Sequence, residues 1–468
     1  MSDAFDALDD DVAEGARSPV SGVTSALAAG EALSAADQKR VIIELPAYLF
    51  VQIAWFTAFG LQMVVFPYLL KNQLDVSGTL LGAAQMALSL PSVIFILLGG
   101  VIAERADGRT LLILFHALAA LPAAMLAFAI GADKLEYMLM IAYAVGMGTV
   151  GAFMMPARDA ILNEVVARRV QSGSKITLQQ GVAFATIAQF AAQILGLSLG
   201  GMASQWGAGP LMIAQAVIVS TGAVASLFLA RGQMARTPAA EQNGILADIG
   251  SGMKTVADNK VLLSMVASMF GVGLFVIGAF LVVLPIVNAD VFGMDSGGLR
   301  NIFITFWAGA FVSSVILSTR RDAGHPGRLQ LIAQFVGACC ILVLIFKVHY
   351  LFFLVLVFIW GLCAGVSITM SRAIVQKAAP VNKLARVLSI YQLGFMGGAP
   401  LGAAAMGLLT DIVGPQKVAL APALGLFSLV LLMALFTPLW SMKTNELGET
   451  SDESPPEPSV VTSDKDTG

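Results

Sequence analysis

Apolar residues follow one another along this chain in long stretches, and short polar segments interrupt them at nearly regular intervals. A helix needs about 20 mostly apolar residues to cross a bilayer core of about 30 Å, and the stretches are long enough to do so. The pattern therefore predicts an all-α polytopic membrane protein with twelve transmembrane helices. The predicted spans are 46–70, 78–100, 110–131, 136–155, 176–203, 208–230, 261–289, 299–318, 328–347, 350–371, 385–411 and 416–441.

The composition agrees with this pattern and excludes a soluble protein. Hydrophobic residues make up 57% of the chain and charged residues only 12%, whereas a soluble domain carries about a quarter charged residues. The three cysteines lie in apolar stretches and the three histidines are widely scattered, so we expect no metal site. No nucleophile–base spacing, phosphate-binding loop or carboxylate pair lies in or beside the spans, so we expect no enzymatic activity and no cofactor.

The polar segments divide the chain into five regions. The longest internal polar segment contains Ile245, Ile249, Met253 and Val256 at helical spacing, which predicts a short amphipathic helix at the membrane surface. The two tails contain too little apolar surface to fold alone, so we expect both to be disordered. The regions are an N-terminal tail at 1–40, a six-helix bundle at 41–230, a linker at 231–260, a second six-helix bundle at 261–441 and an acidic tail at 442–468.

The basic residues determine the expected orientation. With twelve spans, both tails lie on one side of the membrane, together with the loops that follow even-numbered spans. Of the 27 lysines and arginines, all but five fall on that side. Because cytoplasmic loops carry the excess of Lys and Arg, we expect both termini in the cytoplasm. The five exceptions are Lys71, Lys134, Arg300, Lys347 and Lys417.

Charge clusters recur at matching places in the two halves of the chain. The stretch AERADGRTLLI after the second span has a looser counterpart, TRRDAGHPGRLQLI, after the eighth, so that Glu104 corresponds to Asp322. The stretch MMPARDAILNEVVARR after the fourth span resembles TMSRAIVQKAAPVNKLAR after the tenth, so that Arg158 corresponds to Arg372. The two pairs are separated by nearly the same length of chain, which indicates duplicated six-helix halves with parallel topology.

With these motifs the chain resembles the major facilitator superfamily, in which a charged loop joins the second and third helices. The stretch GGVIAERADGRTLLI is similar to the corresponding loop of the enterobactin-exporter-like, or transmembrane secretion effector, branch. PARDAILNEVV after the fourth helix and ARVLSIYQLGFMGGAPLGAAAMGLLTDIVG in the eleventh also fit, and the resemblance runs from about Pro46 to Trp440. It implies the twelve-helix fold of that superfamily and a location in the bacterial inner membrane.

The resemblance implies that the loop between the second and third helices is a gating latch between the two halves. Glu104 would lie near the N-terminus of the eleventh helix, whose dipole favours a carboxylate there. Arg105 or Arg109 is expected to pair with Asp159 at the end of the fourth helix. The alternative is a solvated turn that only obeys the charge rule. The latch residues are Gly100, Glu104, Arg105, Asp107, Arg109 and Asp159.

Polar and aromatic side chains near the middle of the membrane are the candidates for the substrate path. One face of the fifth helix either lines a cavity or is a small-residue contact with another helix; it comprises Thr186, Gln189, Gln193, Gly196 and Gly200. In the family, the first, fourth, seventh and tenth helices line the central path, and the alternative is that their aromatic residues face lipid. This resemblance adds the candidates Gln62, Tyr143, Phe275 and Trp360.

The energy source has one candidate residue. None of the 30 aspartates and glutamates lies in the middle of a span. His116, about one and a half turns into the third helix, has a side chain that can titrate near neutral pH, so we name it as the candidate for coupling to a proton. The alternative is a structural histidine.

Together these features predict a secondary active transporter that moves a small organic molecule across the membrane by alternating access. The branch resemblance favours efflux of a siderophore-like or other secreted metabolite. Import of a small organic solute or siderophore and translocation of a lysophospholipid are the alternatives, and a membrane scaffold is the alternative without transport. We expect a monomer whose partners are the small-molecule substrate, the lipid bilayer and a coupling proton, and we expect no nucleic acid.

Overall fold

The computed structural model describes most of the chain between Ala35 and Lys443. The predicted tails, apart from residues 35–40 and 442–443, lie outside the described residues, and so does the first half of the predicted linker. The described residues are 35–172, 174, 176, 178–230, 245–319, 324–346, 348–380 and 383–443.

The described part of the chain contains 12 helices that are long and apolar enough to cross a membrane, which confirms the predicted all-α fold with twelve spans. We number these helices span 1 to span 12. We call the face that carries the loops after odd-numbered spans the odd-loop face, and the opposite face the even-loop face. The spans begin and end as follows: span 1 Ala35–Tyr68 with a π-helical turn at Leu69–Gln73, span 2 Gly78–Arg105, span 3 Gly108–Gly131, span 4 Tyr137–Gln171, span 5 Leu178–Gly200, span 6 Ala208–Ser226, span 7 from Lys260–Val272 to Val287–Val291, span 8 Ser296–Thr319, span 9 Pro326–Val343, span 10 Tyr350–Ala378, span 11 Leu384–Val413 and span 12 Leu420–Phe436.

Several helices continue beyond the predicted spans on the even-loop face. The apolar stretch predicts that span 4 ends at residue 155, but the helix continues to Gln171. Its extension consists largely of strong helix formers, which keep the helix going after it has left the apolar layer. The start of span 1 also extends beyond its predicted bound. The side chain of Arg168 holds the two extensions together, with 2.9 Å from its Nε to Glu44 Oε2. Arg168 Nη1 also lies 3.2 Å from Glu164 Oε2.

Span 7 departs from a regular α-helix. Three π-helical turns follow its first α-helical part, at Gly273–Ile277, Ala279–Val283 and Val287–Val291. The short segment Leu284–Ile286 returns to α-helical geometry between the second and the third of them. A π-helical turn shifts the backbone hydrogen bonds and is often found at functional positions. Span 7 therefore has backbone carbonyl groups that side chains of other helices can reach.

The two halves repeat the same helix contacts. In spans 1–6, the backbone of span 4 crosses span 2 so closely that a Cβ on Gly148 would collide with the carbonyl oxygen of Leu88. In spans 7–12, a Cβ on Gly361 of span 10 would collide in the same way with the carbonyl oxygen of Phe306 in span 8. Small residues allow such close crossings between membrane helices. The largest apolar core runs through both halves.

The linker contains a helix at Ile245–Asp258, in the segment where the apolar spacing predicts one. Lys383 Nζ, at the start of span 11, donates to Thr255 Oγ1 at 3.1 Å, so this helix is attached to the second half. The predicted apolar stripe is only partly buried, since Val256 is enclosed but Met253 is exposed. The side chains of Ile245 and Ile249 lie outside the described residues.

Candidate transport path

The candidate path lies where the two six-helix halves meet. Asp411, near the end of span 11, forms the first contact between the halves, which we call a seam. Its Oδ1 accepts a hydrogen bond from the backbone N–H of Gly78 at 2.7 Å. Its Oδ2 accepts from the N–H of Thr79 at 2.8 Å and from Thr79 Oγ1 at 2.6 Å. The first N–H groups of a helix have no partner within the helix, and the positive end of the dipole attracts a carboxylate. Asp411 therefore caps span 2 from the opposite half.

Glycines bring the backbones of the same two spans together beneath this cap. A Cβ on Gly82 would lie 2.5 Å from the carbonyl oxygen of Ala403 and 3.0 Å from the Cα of Gly407. A Cβ on Gly407 would in turn collide with the carbonyl oxygen of Gly78. Spans 2 and 11 can approach this closely only because these positions carry no side chain.

A second seam joins the end of span 5 to the start of span 8. Ser296 Oγ donates to the carbonyl oxygen of Gly201 at 3.0 Å and accepts from the backbone N–H of Ser204, also at 3.0 Å. A hydrogen bond from the Ser204 hydroxyl and the backbone N–H groups of Gly297 and Gly298 hold the pKa of Asp295 below its usual value, although partial burial opposes this. Asp295 is thus a carboxylate of one half that is stabilised by a residue of the other.

An ion pair adds a third contact at the odd-loop face. Lys71 Nζ at the end of span 1 lies 3.2 Å from Asp290 Oδ1 at the end of span 7. The same ammonium group lies 3.7 Å from Asp75 Oδ1 in its own half. The Asp411 cap, the serine contacts and this ion pair together close the odd-loop face in the described structure.

A glutamine links the halves deeper in the membrane. Gln85 Nε2 in span 2 donates to the carbonyl oxygen of Leu281 at 3.2 Å, within a π-helical turn of span 7. Gln85 is 3% exposed, and its Oε1 has no hydrogen-bond donor among the described residues. A buried amide oxygen without a donor carries a desolvation cost, so Gln85 is a polar group that still needs a partner.

Aromatic rings fill the middle of the second half and extend to the first. Phe280 of span 7 lies 4.5 Å from Phe306, 6.5 Å from Trp307 and 6.2 Å from Trp360, measured between ring centroids. Phe190 of span 5 contacts this group from the first half, at 6.3 Å from Trp307. Trp307 Nε1 is enclosed and has no acceptor among the described residues.

Two of the predicted path residues are hydrogen-bonded to one another. The hydroxyl of Tyr143 in span 4 lies 3.2 Å from Gln62 Oε1 in span 1. It also accepts from Gln215 Nε2 of span 6 at 2.9 Å, and that Nε2 group lies 3.3 Å from the carbonyl oxygen of Ala58. Gln62 is 4% exposed and Tyr143 1%, so they are enclosed in the first half. Gln215 is not among the residues predicted from the sequence, although an amide within an apolar stretch was a signal for it.

The predicted face of span 5 lies mainly against span 1. A Cβ on Gly196 would collide with the carbonyl oxygen of Thr57, and Gln193 Nε2 lies 3.5 Å from the sulfur of Met63. Gly200 packs in the same way against span 1. These contacts correspond to the helix-contact alternative for this part of the face. Gln189 is half-buried, and Thr186 is exposed.

The predicted path residues of the second half lie apart from each other. The ring of Phe275 packs over Gly425 of span 12. Trp360 is 3% exposed, lies in the aromatic group around Phe280, and packs its Cδ1 3.4 Å from the position of a Cβ on Gly337 in span 9. The structure therefore does not bring Phe275 and Trp360 together with Gln62 and Tyr143.

His116, the candidate for proton coupling, is enclosed between spans 1, 3 and 6. Its Nδ1 lies 2.8 Å from the carbonyl oxygen of Leu112, its ring meets the edge of Trp55 at 5.9 Å, and it packs directly over Gly222. His116 is 0% exposed. In this state of the protein it has no contact with solvent.

The loop between spans 2 and 3 is described in part. The side chains of Glu104 and Arg105, and the surroundings of Gly100, lie outside what the structure describes. Asp107 caps span 3, since its Oδ2 accepts from the N–H of Thr110 at 3.1 Å and from Thr110 Oγ1 at 2.6 Å.

Asp159 of span 4, the expected partner of this loop, forms an ion pair with the residue next to it in the chain. Asp159 Oδ1 lies 3.0 Å from Nη2 of the adjacent Arg158. The guanidinium of Arg158 also stacks on Phe56, 4.9 Å from the ring centroid.

Comparisons with known proteins agree with this architecture. The model of the Major Facilitator Superfamily matches residues 48–403. A comparison with curated proteins finds no match. Among solved structures, the fold is similar to a mutant of the nucleoside transporter NupG, with a TM-score of 0.67, 13% identity, and coverage of 84% of this chain and 100% of that one. It is also similar to an inward-facing, unoccupied bacterial homologue of the human lysosomal transporter Spinster, with a TM-score of 0.61, 12% identity, and coverage of 88% and 97%.

Proposed function

This chain belongs to the major facilitator superfamily, and on that premise we propose that it is a secondary active transporter that moves a small organic molecule by alternating access. The observation that carries the proposal is the seam between spans 2 and 11. There a helix end of one half is capped by the single carboxylate of Asp411 from the other half. A small polar contact of this kind can be broken and re-formed, as a gate requires.

We propose that the odd-loop face is periplasmic and that both termini lie in the cytoplasm of a bacterial cell with the protein in its inner membrane. The support is the distribution of basic residues, since all but five of the 27 lysines and arginines belong to the even-loop side. On this orientation the protein is closed toward the periplasm by Asp411 and its neighbours.

We propose efflux of a siderophore-like or other secreted metabolite as the direction and substrate class. The support is the likeness of GGVIAERADGRTLLI to the loop of the secretion-effector branch. NupG and the Spinster homologue are transporters, but at 13% and 12% identity they support only the fold. A proton is the proposed coupling ion, and the working unit is a monomer.

The proposed residues follow from the sequence. The loop residues Gly100, Glu104, Arg105, Asp107, Arg109 and Asp159 act as a latch on the even-loop face. Gln62, Tyr143, Gln189, Gln193, Phe275 and Trp360 remain the proposed path residues, and His116 the proposed coupling residue. For Gln193 and His116 the contacts favour a structural role, because both are packed against neighbouring spans.

Untargeted mass spectrometry of medium and cell extracts tests the direction of transport. The native strain is compared with a deletion strain, with and without iron starvation, and the deletion strain is complemented with the wild-type gene or with Gly82→Val. We expect a compound that accumulates inside the deletion strain and disappears from its medium, restored by the wild type and not by the variant. A compound left in the medium instead indicates import, and a change confined to lysophospholipids indicates lipid translocation.

A scaffold is distinguished by removing the tails. Deletion of residues 1–34 and 444–468 leaves all twelve spans intact, so it is expected to spare transport. If the metabolite profile of the tail-deleted strain matches that of the full deletion, the tails carry the function and the transport proposal is wrong.

A further inference from the structure

Trp307 of span 8 and Phe190 of span 5 lie at the same depth on opposite halves. Trp307 lies roughly three helical turns beyond the start of its helix at Ser296, and Phe190 lies roughly three turns before the end of its helix at Gly200. With a rise of about 1.5 Å per residue, both lie about 15 Å from the odd-loop face, in the middle of a core about 30 Å thick. Their ring centroids are 6.3 Å apart.

The indole N–H of Trp307 is the unusual feature of this contact. A buried Trp normally donates its N–H to an acceptor, but Trp307 Nε1 is enclosed without one among the described residues. The aromatic neighbours of its ring are the apolar side chains of Phe190, Phe280 and Phe306, with centroids at 6.3, 6.5 and 5.8 Å. An orphaned donor in the middle of the membrane costs free energy in this state, so it is a candidate for a group that is used in another state.

The spacing of the two rings decides when the N–H is available. A planar ligand stacked between two aromatic rings needs about 7 Å between their centroids, twice the contact distance of about 3.5 Å. The 6.3 Å between Phe190 and Trp307 is too short for such a ligand. Because the two rings belong to opposite halves, separation of the halves at the odd-loop face widens the gap between them.

The surroundings also define the charge of a ligand. Along the sequence, no Asp, Glu, Lys or Arg lies in the middle of any span. An ionised ligand at this depth would find no counter-charge, and a charge in the hydrocarbon layer is costly without one. A neutral aromatic molecule with a hydrogen-bond acceptor meets both requirements, since its ring stacks on the two side chains and its acceptor takes the indole N–H.

We infer that Phe190 and Trp307 form a clamp that binds a neutral, planar aromatic part of the substrate when the odd-loop face is open. Trp307 is the positioning residue through its N–H, and Phe190 covers it when the face is closed. This inference rests on the proposed function, because it names the substrate class of that transporter. It adds a specificity site on spans 5 and 8, outside the four helices expected to line the path.

The test measures binding to purified full-length protein in detergent with three matched probes. 2-Naphthamide is neutral, aromatic and has an acceptor, decahydronaphthalene-2-carboxamide lacks the aromatic ring, and 2-naphthoate is charged. Binding is followed by saturation-transfer NMR and titration in the wild type and in Asp411→Ala, which we expect to shift the protein toward an open odd-loop face, because it loses the three hydrogen bonds to the start of span 2. We expect 2-naphthamide to bind Asp411→Ala at least threefold more tightly than the wild type, and the other two probes to bind both proteins weakly.

Three variants in the Asp411→Ala background separate the clamp from general packing. Trp307→Phe keeps an aromatic ring and loses the N–H, so we expect roughly a fivefold loss of 2-naphthamide affinity, the effect of one hydrogen bond. Phe190→Leu should reduce the preference for the aromatic probe over its saturated analogue. Trp440→Phe is the matched control, because it removes the indole N–H of a tryptophan that lies beyond the end of span 12, over Arg328 and outside the proposed path, and it should bind as the parent does.

The inference is overturned if Trp307→Phe and Trp440→Phe have equal effects, if 2-naphthoate binds best, or if the saturated probe binds as well as 2-naphthamide. Such a result leaves the proposed function standing when the deletion strain still accumulates a metabolite. If the native and deletion strains show no metabolite difference while 2-naphthamide binds as expected, only the transport proposal is overturned.

Discussion

Removal of the Asp411 carboxylate is predicted to open the odd-loop face. Asp411→Ala deletes three hydrogen bonds to the start of span 2, those from the N–H groups of Gly78 and Thr79 and from the Thr79 hydroxyl. When the halves separate, water can replace the carboxylate at these exposed N–H groups, so the loss falls on the closed state alone. The change therefore acts on the equilibrium between closed and open states rather than on folding of either half.

The size of the shift follows from the geometry. A hydrogen bond to a charged group contributes about 1.5–3 kcal/mol when enclosed, and a carboxylate at a helix N-terminus about 0.3–1 kcal/mol. Because Asp411 is exposed on one side, solvent screens these interactions, and we take about 2 kcal/mol for the whole contact. At about 1.4 kcal/mol per factor of ten, that is roughly a 30-fold shift toward the open state. Asp411→Asn keeps an acceptor oxygen and should give a smaller shift of the same sign.

Pulsed electron–electron double resonance between spin labels measures this equilibrium directly. Labels at Glu136→Cys and Lys417→Cys report across the halves, since both positions are exposed on the odd-loop face. The three native cysteines are replaced by alanine. We expect a longer-distance population to grow strongly in Asp411→Ala and partly in Asp411→Asn.

The matched control for this measurement is Asp133→Asn. Asp133 lies on the same face with a φ of 55°, which asparagine adopts readily, and it belongs to a loop within the first half. An unchanged distance distribution in Asp411→Ala, or an equal shift in Asp133→Asn, would refute the assignment of Asp411 as the lock.

Three further predictions concern other contacts of the path. Gly82→Val places side-chain atoms against Ala403 in span 11, so it should hold the odd-loop face open and abolish transport while the purified protein still elutes as a monodisperse, helical species. Contacts that include Ser204 of the other half lower the pKa of Asp295 in the closed state. The contribution of its carboxylate to closure is therefore complete above its ordinary pKa and is lost as the pH falls through its lowered pKa in the closed state. The label distance should lengthen below about pH 4, and Asp295→Asn should remove this acid dependence. Tyr143→Phe removes the hydroxyl that the Gln62 and Gln215 amides contact, so thermal or denaturant unfolding in detergent should show a free energy of unfolding lower by about 1–3 kcal/mol, with distances at the odd-loop face unchanged.

The twelve spans and their repetition were predictable because they depend on local composition. Helix ends were less so, as span 4 shows by continuing to Gln171. There the apolar signal stops, while helix propensity and the contact of Arg168 with Glu44 keep the helix intact. Hydropathy reports where the membrane ends, and this need not be where the helix ends.

In the candidate site, residues could be selected from the sequence where their hydrogen-bond partners lie in the same half of the chain. Gln62 and Tyr143 were selected separately, and the structure joins them through a hydrogen bond. Asp411 and Asp290 are visible in the sequence as acidic residues at span ends, but their partners Thr79 and Lys71 lie in the other half. Their pairing depends on how the halves are placed against each other, which no local pattern encodes. Trp307 gave no signal at all, since an indole in an apolar helix needs no explanation until its N–H is found without an acceptor.

The chemistry of the seams fits the proposed alternating access, in which these contacts are broken repeatedly. An interlocked surface of leucine and phenylalanine between spans 2 and 11 would bind each half firmly to the other, because packing contacts sum over many atoms. At Gly78, Gly82 and Gly407 the seam instead brings bare backbone together, with few side-chain atoms to separate. When the face opens, water can take the place of the carboxylate of Asp411 at the N–H groups, and it can also solvate the carboxylate. Closure is therefore favoured by only a few kcal/mol. A ligand that prefers the open state by a similar amount is then sufficient to reverse the equilibrium. An aromatic molecule of the inferred class has that preference, because the closed state leaves no room for it between Phe190 and Trp307.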